Sequence, residues 1–302
     1  MSLFNKLIVS TLPIIPKKVV GYFAARYIAG EFLEDGIRVV KEMNARGIKA
    51  TMDVLGEGVN SKEESLEMRK QCEDVLHAIH QHRLDSTLSV KPTQMGLTFD
   101  KEFCLENIRH LCKIAMSYNT SVCIDMEDHP YTDSTLEIYD RLRKELPSVS
   151  CVLQSYMRRS ESDVASLLPR PTNLRLCKGI YVEPEAIAFK TKEEVRANYK
   201  KLLRQLLNGK AFVGIATHDD ELIHDAYELI REKKLTPHEY EFQMLLGVRE
   251  YMRDKIHADG HPLRVYIPFG KQWYAYSTRR LKENPQMAGY IVKSIFRLDG
   301  KK

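Results

Sequence analysis

Four residues near the C-terminus share one side of a helical pattern. In "YIPFGKQWYAYSTRRLKENP", residues 266–285, Tyr276, Arg279, Arg280 and Glu283 fall at steps of three and four. Planar, permanently charged guanidinium groups grip a carboxylate through paired hydrogen bonds. Arg279 and Arg280, consecutive on that helical pattern, could therefore hold a small organic acid, with Glu283 placed to orient either one. A solvated helix face with intrahelical ion pairs would use the same residues, and such pairs contribute little. Position favours chemistry: the helix follows directly on a β-like run, Val265-Tyr266-Ile267, and the turn Pro268-Phe269-Gly270.

Further polar residues gather where other short apolar runs end. They are Asp53 and Glu57, then Lys91, then Asp125, Glu127 and Asp128, then Gln154 and Tyr156. Arg175, Lys178 and Tyr181 follow, then Thr217, His218 and Asp219, then Glu241 and Gln243, and last Tyr266. Singly, each has a structural explanation, since a strand-end carboxylate usually caps the next helix. As a set they point to a site, because opposite charges buried together must pair with each other or with a ligand. Metal chemistry is not indicated: His218 and His224 stand at i, i+6, and there is no His-Glu-x-x-His. Neither a Gly-x-Ser-x-Gly elbow nor a Walker loop is present. Difficult chemistry then has two sources, a bound cofactor or a Schiff-base lysine at Lys91 or Lys178. A non-enzymatic barrel that binds a partner through its N-terminal arm is the third reading.

The elements that would position these residues alternate. Short apolar or β-branched runs occur at 50–56, 87–93, 121–127, 148–156, 173–179, 211–219, 240–244 and 263–270. Amphipathic helical stripes lie between them, such as Cys72, Val75, Leu76 and Ile79, or Val195, Tyr199, Leu202, Leu203 and Leu206. Alternation of strand and helix implies a parallel sheet, because each crossover needs a covering helix. Eight such units over about 250 residues predict an α/β fold, a (β/α)₈ TIM-type barrel. A doubly wound open sheet is the competitor, but no Gly-x-Gly-x-x-Gly turn follows any run, and "LGEGV" has the wrong spacing. The predicted organisation is an N-terminal helical arm over 1–47 and a catalytic barrel over 48–302.

Composition fits that reading. Of 302 residues, 43% are hydrophobic and 29% charged, enough for a substantial core. A net charge of +5 suits anionic ligands or membrane surfaces, whereas scattered basic residues without a recognition signature argue against nucleic acid. Cys72, Cys104, Cys112, Cys123, Cys151 and Cys177 form no Cys-x-x-Cys pair and read as reduced core thiols of a cytoplasmic protein. The apolar N-terminus is interrupted by Pro13 and Pro16 and ends at Lys17-Lys18, too short to span a bilayer. It shows no signal-peptide cleavage pattern. It reads as an arm packed on the domain or as a surface membrane anchor.

With these residues in view, the sequence resembles the proline dehydrogenases, in their bacterial monofunctional form, from about residue 40 onward. The motifs are "DVLGE" at 53–57, "SVKPTQMG" at 89–96, "CIDMED" at 123–128, "LQSYMRR" at 153–159 and "RLCKGIY" at 175–181. "IATHDD" at 215–220, "EFQMLLG" at 241–247 and "RVYIPFGKQWYAYSTRRLKENP" at 264–285 complete them, in order. The resemblance implies a distorted (β/α)₈ barrel that binds FAD at the strand C-termini, with the last helix over the barrel mouth. It implies that Arg279 and Arg280 grip the carboxylate of L-proline while Tyr181, Tyr266 and Tyr276 pack around the ring. Lys91, Asp125 and Leu245 match other pocket positions, and Glu57 matches a carboxylate that pairs with Arg279 to close the pocket.

Gln154, Arg175, Lys178, Thr217, His218 and Glu283 match positions that contact the flavin, with Arg175 beside its reactive nitrogen. The implied reaction gives Δ1-pyrroline-5-carboxylate and passes electrons to a membrane quinone. Transient peripheral contact with the inner face of the membrane follows, as does a downstream pyrroline-5-carboxylate dehydrogenase as a partner. One position departs from the family pattern: Ile180 stands where a small residue is common. Its bulk is expected to bear on Tyr181 or the flavin rim.

Overall fold

A computed structural model describes residues 21, 24–56, 59–274, 276 and 277 of the chain. Eight strands alternate with helices: α1 (Leu33–Asn44), β1 (Lys49–Val54), α2 (Lys62–Gln81), β2 (Ser86–Val90), α3 (Lys101–Ser117), β3 (Val122–Ile124), α4 (His129–Leu142) and β4 (Val149–Gln154). The order continues with α5 (Ser160–Leu167), β5 (Asn173–Cys177), α6 (Lys192–Asn208), β6 (Phe212–Ala216), α7 (Asp220–Lys233), β7 (Tyr240–Leu245), α8 (Glu250–Ala258) and β8 (Leu263–Phe269). All strand pairs are parallel, and β8 closes on β1 with Met52 opposite Ile267. The predicted TIM-type barrel is the fold.

Period-two alternation divides each strand between two environments. One parity, including Ala50, Met52, Leu88, Val90, Val122, Ile124, Leu174, Leu176, Val213, Ile215, Phe242, Val265 and Ile267, is apolar and joins the helices in one buried core. The other parity is largely polar and faces the lumen. Side chains from strands that are not neighbours meet there: Arg175 of β5 bonds to Gln243 of β7, and Arg264 of β8 to Thr87 of β2. Bonds of that kind can only run across the barrel interior.

Helix starts are fixed by side-chain caps that relieve unpaired N–H groups. Ser61 caps α2, Asp100 caps α3, Thr191 with Glu194 forms a capping box on α6, and Asp219 caps α7. The cap at Asp219 explains why the run predicted to 219 leaves the sheet at Ala216. Strand β7 runs one residue past its predicted end, to Leu245.

Helix α1 packs on β8 and β1, on the outer wall where a helix following β8 would otherwise lie. The described residues after Phe269, 270–274, 276 and 277, instead stay near the mouth. Leu55 N donates to Phe269 O at 2.8 Å, Gly270 N to Gly30 O at 3.0 Å, and Trp273 Nε1 to Glu31 Oε1 at 2.6 Å. A helical turn starts at Trp273, and Tyr276 is buried among Ala24, Ile28 and Leu55. The segment before α1 crosses so closely over the β7–α8 loop that a Cβ on Gly247 would lie 1.8 Å from Arg26 O. Gly247 also has φ of +69°, which glycine adopts without penalty.

Candidate active site

Six side chains converge at the upper end of the lumen. Lys91, one residue past β2, donates to both Asp53 oxygens at 3.1 Å and to Asp125 Oδ2 at 3.2 Å. Tyr266 OH lies 3.4 Å from Lys91 Nζ and donates to Asp125 Oδ2 at 2.9 Å. Asp125 Oδ1 accepts from Ser89 Oγ at 2.6 Å and Arg175 Nη1 at 2.8 Å. The Arg175 guanidinium lies 5.3 Å from the centre of the Tyr266 ring. Strand alternation does the positioning, since Asp53, Ser89, Arg175 and Tyr266 all sit on the inward parity of β1, β2, β5 and β8.

These neighbours set the charges. Burial pushes the Asp53 carboxyl up, and the charge of Asp125 adds to that, against the pull of Lys91. Burial also works to raise Asp125, but Lys91 and Arg175 outweigh it and hold that carboxyl below the ordinary range. For Lys91, burial opposes the charge, yet Asp53, Tyr266 and Asp125 together keep the ammonium well above the usual lysine range. A Schiff-base lysine needs the opposite shift, towards a neutral amine. The aldolase reading of Lys91 therefore fails on electrostatics. Burial, then Asp125 and Asp53, pushes the Tyr266 phenol well up, so it stays a hydrogen-bond donor.

Below this cluster the lumen continues through Gln243, whose Oε1 accepts from Arg175 Nε at 2.6 Å and whose Nε2 donates to Glu241 at 2.8 Å. Arg264 meets Glu241 through Nε at 2.5 Å and Nη2 at 3.2 Å, and its Nη1 reaches Ala50 O at 2.6 Å. Glu241, grouped by the sequence with the mouth residues, lies instead at the second position of β7, deep in the barrel. Its apolar-polar alternation is identical at either end of a strand, which is why the sequence placed it one layer too high. Glu127, another strand-end candidate, accepts from the N–H and hydroxyl of Thr93 at 2.9 and 2.7 Å and so braces the β2–α3 loop.

A second wall lies beyond β5 and β6. Lys178 Nζ and Arg196 both bind Asp219, at 3.1 Å and at 3.0 and 2.7 Å. Burial works against the Asp219 carboxylate, but Arg196 and Lys178 hold the group at about 2. Thr217 is buried and accepts from Asp219 N, Gln154 Nε2 donates to Glu127 O at 2.9 Å, and His218 Nε2 accepts from Leu245 N at 2.9 Å. Tyr181 is half-buried, while Ile180 beside it is 40% exposed.

This wall suits the flavin that the resemblance implies. It offers cations, a hydroxyl and an amide, which match a pyrophosphate and a polyhydroxy chain in their donor chemistry. The Tyr156 hydroxyl is buried there with no hydrogen-bond partner among the described residues, beside the backbone of Gly179, whose Cβ would lie 2.1 Å from the Tyr156 ring.

Lys91, Asp125, Arg175 and Tyr266 are thus brought into direct contact, and Lys178, Thr217, His218, Gln154, Leu245 and Tyr181 lie around the same end of the barrel. Tyr276 is placed in the apolar cluster beside Leu55, which immediately follows β1. Glu57, Arg279, Arg280 and Glu283 lie outside the described residues. Gln243 stood in the strand-end set without a stated role, and Ser89 and Arg196 were not singled out. Ser89 and Gln243 were detectable as polar residues on inward parities. Arg196 was not, since only the fold brings α6 against Asp219.

A family model described as proline dehydrogenase matches residues 37–292. The chain is 36% identical to "Proline dehydrogenase 1" of Bacillus subtilis subsp. natto over 275 residues, 91% of each chain. It is 38% identical to "Proline dehydrogenase 2" of Bacillus subtilis (strain 168) over 273 residues, 90% of each. It is also 34% identical to "Proline dehydrogenase" of Deinococcus radiodurans over 279 residues, 91% of this chain and 90% of the relative. The crystal structure of proline utilization A from Bdellovibrio bacteriovorus inactivated by N-propargylglycine superposes with a TM-score of 0.83 at 24% identity. That superposition covers 93% of this chain and 36% of the larger protein, and it bears on the fold alone. The luminal charge cluster, the closed eight-stranded barrel and these matches over nine-tenths of the sequence lead to one assignment: the chain belongs to the proline dehydrogenase family.

Proposed function

We propose that this chain oxidises L-proline to Δ1-pyrroline-5-carboxylate, with FAD as its resident cofactor and a membrane quinone as electron acceptor. The observation that carries the reading is the charge-balanced set of Asp53, Lys91, Asp125, Arg175 and Tyr266 at the mouth of a proline dehydrogenase-family barrel. When bound, the flavin supplies the acceptor for the hydride that leaves the ring carbon next to nitrogen. Gln154, Arg175, Lys178, Thr217, His218 and Glu283 would hold it. Arg175 is kept cationic and fixed by Asp125 and Gln243, so it presents a preset positive charge where negative charge gathers.

With both carboxylates ionised, Lys91 and Arg175 are offset by Asp53 and Asp125, and the described cluster offers a proline carboxylate no net attraction. Arg279 and Arg280 supply it, and Glu57 pairs with Arg279 to close the pocket. Tyr181, Tyr266, Tyr276 and Leu245 surround the ring. Binding the carboxylate orients the reacting carbon, which removes part of the entropic barrier. A cationic lid also favours the neutral amine. That form is required, because the nitrogen lone pair makes the new C=N bond as the C–H bond breaks and the N–H proton is then lost.

Quinones reside in lipid, so turnover requires approach to the inner face of the membrane from the cytoplasm. Among the described residues no helix is long and apolar enough to cross a membrane. The apolar arm ahead of Lys17 and Lys18 is the proposed surface contact. A pyrroline-5-carboxylate dehydrogenase would consume the product. Incubating the purified protein with L-proline and a soluble quinone, then trapping the cyclic imine with an aromatic amino aldehyde, tests the reading. Quinone-dependent imine is the expected result, and its absence from yellow, folded protein would overturn the reading.

A further inference from the structure

Gln243 stands between a group that can only donate and a group that can only accept. Its Oε1 takes a hydrogen bond from Arg175 Nε at 2.6 Å, and its Nε2 gives one to Glu241 Oε1 at 2.8 Å. A guanidinium has no acceptor and a carboxylate no donor, so the two neighbours dictate which way the amide points. Glu241 in turn is held by Arg264 at 2.5 and 3.2 Å, and Arg264 by Ala50 O and Thr87 Oγ1 at 2.6 and 3.4 Å. Room for the amide comes from the neighbouring strand, β6. A Cβ on Gly214 would lie 2.5 Å from Gln243 Nε2 and 2.8 Å from its Cδ.

We propose that Gln243 is a positioning residue for Arg175, transmitting the fixed location of the Glu241–Arg264 pair up the lumen, and that Gly214 is small to admit it. This rests on the reading that Arg175 stands beside the flavin. Without Gln243, the one hydrogen bond that Arg175 retains among the described residues runs from Nη1 to Asp125, about which a planar group can pivot. A second bond, from Nε, removes that freedom. The lower ion pair serves the reaction through Gln243 and touches neither substrate nor cofactor.

The test uses flavin-loaded Gln243→Met and Gly214→Ala. Methionine is close to glutamine in length and volume but cannot bridge donor to acceptor. The two-electron reduction potential of the bound flavin is measured beside the proline kinetics. Both variants are expected to move the oxidised-to-reduced ratio about tenfold towards oxidised, a fall of about 30 mV for a two-electron couple. The turnover number should drop while the half-saturating proline concentration changes little. A purely space-filling Gln243 would leave the potential of Gln243→Met at the wild-type value, and that result overturns the proposal. Should Gln243→Met not fold, Gly214→Ala decides, because a wild-type potential there means the amide tolerates displacement. A wild-type protein that binds no flavin would instead refute the cofactor reading beneath it.

Discussion

Two arginines cross the same barrel lumen and are treated differently. Arg264, at the bottom, has all three nitrogens in hydrogen bonds, to Glu241, Ala50 O and Thr87. Arg175, one layer higher, uses Nε and Nη1, while its Nη2 makes no hydrogen bond among the described residues. Both are nearly buried, with 12% and 10% of their side chains exposed. Burial alone therefore does not separate a structural charge from a working one. The difference is whether the protein satisfies the whole group. The lower pair is closed, and on the proposed reading the partly satisfied upper arginine is left to meet a ligand.

That contrast can be broken in five places. Arg264→Met strands the Glu241 carboxylate in the barrel and should lower unfolding free energy by about 3–5 kcal/mol. Chemical denaturation measures it, and a loss under about 1 kcal/mol would mean water reaches the lower lumen. Arg175→Met should cost less stability, because Asp125 keeps Lys91, Tyr266 and Ser89 as partners. Proline-driven flavin reduction in that variant should slow by about a hundredfold, the scale of losing one preset electrostatic donor. Stopped-flow absorbance reads this, and an unchanged rate would remove Arg175 from the chemistry.

Smaller effects sharpen the boundary of the site. Arg280→Met should weaken proline binding by about 1.5–3 kcal/mol, the scale of a charged hydrogen bond, with the melting temperature nearly unchanged. An unaltered half-saturation in a proline titration would take the carboxylate role from it. Asp219 offers a pH test. Its carboxyl is held at about 2 against the ordinary 3.8, so its stabilisation is present above the unfolded value and lost as pH falls towards 2. Wild type should lose about 1–2 kcal/mol over that window that Asp219→Asn does not lose. Parallel acid denaturation curves for the two would contradict the pairing. Least of all, breaking the exposed Arg38–Glu42 pair on α1, more than half exposed on each side, should change stability by about 0.3–0.5 kcal/mol. A larger loss in a double-mutant cycle would show that the wall between β8 and β1 depends on it.

The barrel was legible because its strands repeat a local pattern: β-branched runs, turn residues and helical stripes each announce their element within a few residues. Lys91, Asp125, Arg175 and Tyr266 were legible because inward parity and motif agreed on them. Depth was harder to read. Glu241 and Gln243 differ by two residues, face the same lumen and look alike in sequence, yet one anchors the floor and the other touches the site. Arg196 was invisible because its partner Asp219 lies 23 residues away on another element. Helix α1 carried no mark of its packing, and only the closed sheet shows that it covers β8 and β1 and leaves residues 270–274 near the mouth.

The most direct measurement is the visible absorption spectrum of the purified protein, recorded without oxygen before and during addition of L-proline. The account predicts an oxidised flavin band that bleaches as proline is added, and bleaches far more slowly in Arg175→Met. A colourless protein, or a flavin band that proline leaves untouched, would contradict it.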